Sequence, residues 1–409
     1  MGSFREYLSV YRGLSRDTRL LISAGAINSL PFGVLAVALP IYLKLLGYLE
    51  PAIGAVFSVN GGVAVLLIVP FGIVADRFGR KRMTILGGLC QATAMFLLLG
   101  AANPVILYGS AILSGTAEAL FFSTVQALMA DSTTTENRTA ALGISFFATS
   151  AATAMGALAS STPDFLRGAG WALQSAYAPL FVATGLALLA SPLLILRVFV
   201  QETRKAAGGP LLPRRSGGII AKMLVTQLVI GLGAGLIVPI FSLWFFLKFG
   251  QTESFTGPLF AVGAALNAVA FLAAPVLAKR FGFFRTVFAL TACGTVLLLF
   301  LAVSPWLALA SVFFLARNSA MNMSWPVLSS FLLTVVDPSE RSSASAVVGL
   351  SFRLPFAVST AFGAAMMAQN VDFPLYVTTA LYAVGAASFF VFFRRVEEAR
   401  PTAAGGPAT

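Results

Sequence analysis

Residues 72–82 read GIVADRFGRKR. An apolar run ends here, and one acid and four bases follow within a few positions. Gly79 supplies the backbone freedom that a tight turn demands, and Gly72 admits a closely approaching helix. Asp76 is an anion suited to the positive end of a helix dipole. The stretch reads as a charged turn between two apolar segments, 52–75 and 83–102. Segments of about twenty apolar residues match a hydrocarbon core of ~30 Å, so the turn marks a membrane surface.

The rest of the chain fits that solvent. Of 409 residues, 58% are hydrophobic and only 10% are charged, against about 25% charged in soluble domains. Apolar runs fall at about 19–45, 52–75, 83–102, 104–130, 139–161 and 174–198. A second set falls at about 219–248, 255–278, 286–303, 306–335, 343–368 and 373–393. This predicts an all-α membrane protein with twelve transmembrane helices. The first run lacks the short apolar core and cleavage pattern of a signal peptide and reads as a retained span. Pro104 and Pro374 suit helix starts. Pro31, Pro40, Pro239 and Pro326 predict kinks. Cys90 and Cys293 read as buried free thiols. The chain has no histidine, which excludes histidine ligands, bases and proton relays.

The net charge of +12 is one-sided. Numbering the loops alternately puts 22 of the 27 Lys and Arg residues on one side and 3 on the other, with Arg317 and Arg353 inside spans. The 3 are Lys44, Arg167 and Lys248. The positive-inside rule then makes both termini cytoplasmic. The basic excess is a topology signal and a contact with anionic lipid, and no nucleic-acid partner is expected. The stretch QETRKAAGGPLLPRRSGG (201–218) reads as a linker. The expected organisation is a cytoplasmic segment 1–18, a six-helix half 19–198, a linker 199–218, a second half 219–393 and a tail 394–409.

The halves repeat. ADRFGRKR (75–82) faces AKRFGFFR (278–285), and Gly79 matches Gly282 at an offset of 282 − 79 = 203. The same offset relates Gly47 to Gly250, Phe57 to Phe260 and Cys90 to Cys293. RTAALGISFF (138–147) resembles ASAVVGLSFR (344–353) at an offset of 206, as Asp131 does Asp337. Parallel repeats of this kind predict two pseudo-symmetric halves with a solute site between them near the midplane.

Twelve spans, a basic central linker and this repeat resemble the major facilitator superfamily. GIVADRFGRKR is similar to that family's signature between spans 2 and 3, carried here by Gly72, Asp76, Arg77, Gly79, Arg80 and Lys81. The resemblance implies a transporter that works by alternating access, with a cytoplasmic latch. In that latch Asp76 faces the start of span 11 near Ser342 and Ser343, and Arg80 pairs with Asp131 at the end of span 4. The plain alternative is that these charges only fix topology. The second copy has Lys279 at the position of Asp76; Arg280 or Arg285 is then the candidate partner of Asp337.

Three ionisable groups fall well inside spans: Glu118, Arg317 and Arg353. A charge at the bilayer centre costs at least ~2.5–3.5 kcal/mol, so each needs a protein interior or a wet cavity. The resemblance implies that spans 1, 4, 7 and 10 line a cavity, with Glu118 and Arg317 on opposite walls and Arg353 beside it. Ser114, Glu118, Phe122 and Gln126 share a helix face. Asn318, Asn322 and Trp325 extend a second face, and Asn28, Gln227 and Trp244 come from spans 1 and 7. These polar and aromatic groups are candidates for a solute cavity. For Asn28, Gln227 and Asn267 interhelical hydrogen bonds are the competing use. Glu118 either titrates, with Asp131 in reserve, or stays locked to an arginine. Arginine itself does not relay protons.

No cofactor, metal cluster or nucleophile–base set is visible, and GLGAG (231–235) has the spacing of a closely packed helix, not of a dinucleotide loop. The expected function is secondary active transport of a small organic solute, proton-coupled, monomeric, in the cell membrane, with export of amphiphilic compounds in front. Uptake or exchange of an organic anion or sugar is the alternative within transport. A non-transporting receptor or scaffold is the alternative outside it, and an enzyme is not expected.

Overall fold

The computed structural model describes residues 13–133, 138–199, 215–337 and 340–398. Residues 200–214 of the expected linker, and the segments 1–12 and 399–409, lie outside the described residues. The described structure is almost wholly helical. In order, the helices are α1 (Arg16–Leu45), α2 (Glu50–Phe78), α3 (Arg80–Leu97), α4 (Pro104–Ser132), α5 (Arg138–Ala159), a short α6 (Thr162–Gly168) and α7 (Leu173–Leu196). There follow α8 (Gly217–Ile237), a short α9 (Phe241–Phe249), α10 (Glu253–Phe281), α11 (Phe283–Val303), α12 (Leu307–Val335), α13 (Arg341–Gln369) and α14 (Phe373–Glu398).

Each expected apolar run is helical. Several helices outrun the hydropathy by two or three residues at their ends, because a helix continues into charged turns that an apolar count excludes. Among the described residues, eleven helical segments are long and apolar enough to cross a membrane. The exception is α12, which is 29 residues long but carries Arg317, Asn318, Ser319 and Asn322 in its middle. Pro104 stands in the first turn of α4, where Asn103 caps the helix by accepting from the Val105 amide at 2.9 Å. Pro239 sits in a 3-10 turn, Val238–Ile240, that separates α8 from α9. Pro31, Pro40 and Pro326 lie inside continuous helices.

The internal repeat is written in backbone geometry. Helix α10 starts 253 − 50 = 203 residues after α2, and α11, α12 and α13 keep that offset from α3, α4 and α5. The frame therefore stays at 203 where the sequence similarity drifts to 206. Gly79 and Gly282, one residue before α3 and α11, have φ of 98° and 85°. Gly47 and Gly250 have φ of 91° and 66°. All four occupy the left-handed region that glycine reaches without steric cost.

The chain forms two compact units. Among the described residues, the first draws on those within 13–199, 236–268 and 357–371, and the second on those within 215–235, 269–356 and 372–398. In the first, α1 crosses α5 at van der Waals distance of their backbones. A Cβ on Gly33 would lie 2.1 Å from the Thr153 carbonyl oxygen, and one on Gly156 would lie 2.2 Å from that of Leu30. In the second, Gly231 abuts the Phe352 carbonyl and Gly233 abuts Tyr382, so GLGAG is a closely packed stretch. Gly72 does not have the expected role: a Cβ there would meet nothing within 4 Å.

Outward faces are apolar. Leu66, Val69 and Ile73 form an exposed stripe along α2, and Val296, Phe300 and Val303 form one along α11, as lipid-facing surfaces require. Trp171 and Trp306 stand exposed beside helix starts, the position of an interfacial aromatic. Cys293 is exposed and Cys90 half-buried, both as free thiols. The expectation that both are buried fails, because an apolar run in a membrane has a lipid face as well as a core face.

Gly156→Val is expected to destabilise the protein by at least the ~1–3 kcal/mol of core overpacking. Gly62→Ala, where a Cβ meets nothing within 4 Å, should leave the thermal unfolding midpoint in detergent near that of the wild type.

Candidate functional site

The charged turn that ends α2 organises three helices. Arg80, the first residue of α3, reaches Asp131 near the end of α4 at 2.9 Å. It also reaches Asp76 at 2.9 Å. Side-chain exposure is 15% for Arg80 and 12% for Asp131, so this pair is largely shielded. Asp76 is 54% exposed. It lies in the last turn of α2, not at the N-terminus of its own helix, and Arg80 offsets the charge there. Lys81 donates to the carbonyl oxygens of Leu196 and Val198 at 2.8 and 2.7 Å. It thereby satisfies groups that the end of α7 leaves unpaired. Arg77 is exposed.

The second copy solves the same problem differently. Asp337 has Arg215 at 3.8 Å in place of the expected Arg280 or Arg285. Glu340, buried, accepts the backbone N–H groups of Arg215 and Ser216 at 2.8 and 2.9 Å, where a carboxylate is favoured by the start of α8.

Glu118 is the central residue of α4, with fourteen residues of the helix on either side, and it is half-buried. Among the described residues it is the carboxylate that lies in the interior of a long helix and not in an end turn. One turn earlier Ser114 is buried and exchanges hydrogen bonds with Gln91 on α3 at 3.2 and 3.3 Å. One turn later Phe122 is exposed. The side chain of Gln126 lies outside the described residues.

Other candidates take structural positions. Asn28 is buried and donates to the Ala24 carbonyl at 2.9 Å and to Ser191 on α7, which is an interhelical bond. Gln227 is buried in α8. Trp244 is fully buried, edge-on to Phe245 and Phe249 at 4.9 and 5.5 Å, with the Lys248 ammonium 5.0 Å from its ring. These ring contacts are to residues of α9 itself. Asn267 has a buried side-chain oxygen without a hydrogen-bond partner.

In the second unit Arg317 is 2% exposed. It donates to the Tyr382 hydroxyl on α14 at 2.7 Å and lies 5.6 Å from the centre of that ring. The sequence gives no sign of Tyr382, which is one of five hydroxyl-bearing residues in the run 373–393, with Tyr376, Thr378, Thr379 and Ser388. Arg353 is half-buried on α13. Asn322 donates to the backbone and side-chain oxygens of Asn318 at 2.8 and 3.1 Å. Trp325 is exposed, with Phe352 at 5.4 Å.

A family description supplies the context for these groups. The model for the Major Facilitator Superfamily matches residues 21–316. The chain belongs to that superfamily. It is a multi-pass protein of the cell membrane. It is 30% identical over 173 residues to Multidrug resistance protein 2 of Bacillus subtilis, a match covering 42% of this chain and 41% of that one. It is 34% identical over 120 residues to the inner membrane transport protein YajR of Escherichia coli, covering 28% and 26%. The chain thus spans less than half of each of these curated relatives.

Solved structures share the fold. A point mutant of the nucleoside transporter NupG aligns with a TM-score of 0.76 at 14% identity, over 92% of this chain and 99% of that one. A bacterial homologue of the human lysosomal transporter Spinster, inward-facing and occupied, aligns at 0.75 and 14%, over 98% and 100%. The human organic anion transporter MFSD10 aligns at 0.64 and 14%, over 91% and 99%. Family membership implies a membrane environment.

Asp131→Asn removes the shielded charge partner of Arg80 but leaves Asp76 beside it, and is expected to cost about 1–3 kcal/mol. The exchanged pair Arg80→Asp with Asp131→Arg should be less destabilised than the sum of its two single variants, read as thermal unfolding of the four proteins of a double-mutant cycle.

Proposed function

We propose that this protein is a secondary active transporter that moves a small organic solute by alternating access, with proton coupling at Glu118 and export of amphiphilic compounds as its direction. In this reading α12 also crosses the membrane, as span 10, which brings the spans to twelve. The spans divide into halves at 19–198 and 219–393, and both termini are cytoplasmic. The pair of Arg80 and Asp131, with Asp76, is the latch on that side. The transporter works as a monomer, with protons, solute and lipid as its partners and no nucleic acid.

The observation that carries the proton reading is Glu118 at the centre of α4. Charge at that depth is costly, and carboxylates placed there mark proton and solute pathways. Such a group takes a proton in one arrangement of the helices and releases it in another. The substrate reading draws on the partial likeness to a protein named for multidrug resistance. Binding of an anionic solute by Arg317 is less favoured, because that guanidinium already donates to Tyr382 and is nearly inaccessible.

Glu118→Gln is expected to abolish proton-driven transport in proteoliposomes, by at least the 10²-fold typical of a lost proton-transfer group, while solute exchange without a proton gradient persists. Unchanged proton-driven transport would refute the coupling role. Thermal stabilisation of the solubilised protein by carboxylates or phosphates alone would redirect the substrate class to organic anions.

A further inference from the structure

A second carboxylate is buried far from Glu118 in the sequence. Glu253, the first residue of α10, lies just outside the apolar run at 255–278 and is 0% exposed. Its Oε1 accepts from the Tyr177 hydroxyl on α7. Its Oε2 is buried and has no hydrogen-bond partner among the described residues. An ionised carboxylate offers about four acceptor positions, and the donors acting on it here are the Tyr177 hydroxyl and the residue's own backbone amide.

The surroundings seal this group. Ser161, between α5 and α6, donates to the Glu253 backbone oxygen at 3.0 Å. On either side in the chain, Thr252 and Ser254 donate to Asp164 of α6, the former at 2.6 Å. Tyr42 of α1 stacks on Tyr177 at 4.2 Å. One turn into α10, a Cβ on Gly257 would lie 2.6 Å from both the Ala157 carbonyl and the Ser161 hydroxyl, so the backbones are in contact. The charged and titratable groups acting on Glu253 are therefore Tyr177, Asp164 and Arg167, with Tyr42 behind Tyr177. Arg167 also has a buried Nη1 without a hydrogen-bond partner.

We infer that Glu253 is a proton-binding site that governs the closure of α10 onto α6 and α7. A dry carboxylate with one oxygen unsatisfied is costly, and a proton on Oε2 removes the charge and the cost. When the contact opens, water solvates the carboxylate and the proton leaves. The closed arrangement thus binds a proton that the open one gives up, and low pH favours closure. This extends the alternating-access reading with a proton site separate from Glu118.

The test uses the full chain in lipid nanodiscs with Cys90→Ala, Cys293→Ala and a reporter, Ser160→Cys, at a fully buried position beside this contact. The rate of maleimide labelling is divided by that of the unfolded chain at the same pH, which removes the thiol's own titration. Labelling should rise with pH, about tenfold for each unit by which closure tightens the proton. Glu253→Gln, a mimic of the neutral acid, should hold labelling low and flat. Arg167→Gln removes a positive charge that opposes protonation, so the rise should move to higher pH by on the order of one unit. Flat labelling with Glu253 present, or a wild-type rise in Glu253→Gln, overturns the proposal. If Glu253→Gln does not fold, an unmoved midpoint in Arg167→Gln overturns it instead. Glu118→Gln should keep the rise whatever it does to transport, which separates this site from the coupling assigned to Glu118.

Discussion

A polar group in hydrocarbon has nothing to bond but protein, and that constraint shapes this molecule throughout. It makes the backbone helical, since a helix satisfies its own amides. It leaves the helix ends to be satisfied by side chains, as Lys81 does for α7 and Glu340 for α8. It also demands a partner for buried polar side chains. Arg317 finds the Tyr382 hydroxyl, and Asn28 finds Ser191.

The same constraint explains what the sequence disclosed. Apolar runs announce spans because a charge in hydrocarbon is expensive. Turn glycines announce loops because a left-handed backbone has few other occupants, and the matched glycines at 79 and 282 carry the repeat into geometry. The pair of Arg80 and Asp131 was legible from a motif between the second and third runs, at a place where the helices end and charges are allowed.

What stayed hidden concerns which way a side chain faces. In a soluble helix the polar face shows where the core lies. Here lipid is as apolar as the interior, so Cys293 and the aliphatic residues around it give no sign of facing outward. Trp244 looked like a ligand contact for the same reason, since an aromatic ring suits a cavity and a core equally well. Glu253 was missed because a carboxylate beside an apolar run reads as a loop residue. Its burial is created by Tyr177, some seventy-six positions away in the chain.

The crossing of α1 and α5 has a mechanical consequence. At Gly33 and Gly156 main chain lies on main chain, and a contact without side chains has no rotamers to reset. Thr153 adds one hydrogen bond to the Ser29 carbonyl at 3.3 Å, and no interlocking knobs are needed to hold the pair. Parting the two helices would forfeit dispersion along the whole seam at once, while carrying them together forfeits none. In any motion of the protein α1 and α5 therefore travel as one beam, and compliance has to come from elsewhere in the chain, such as the 3-10 turn at Pro239.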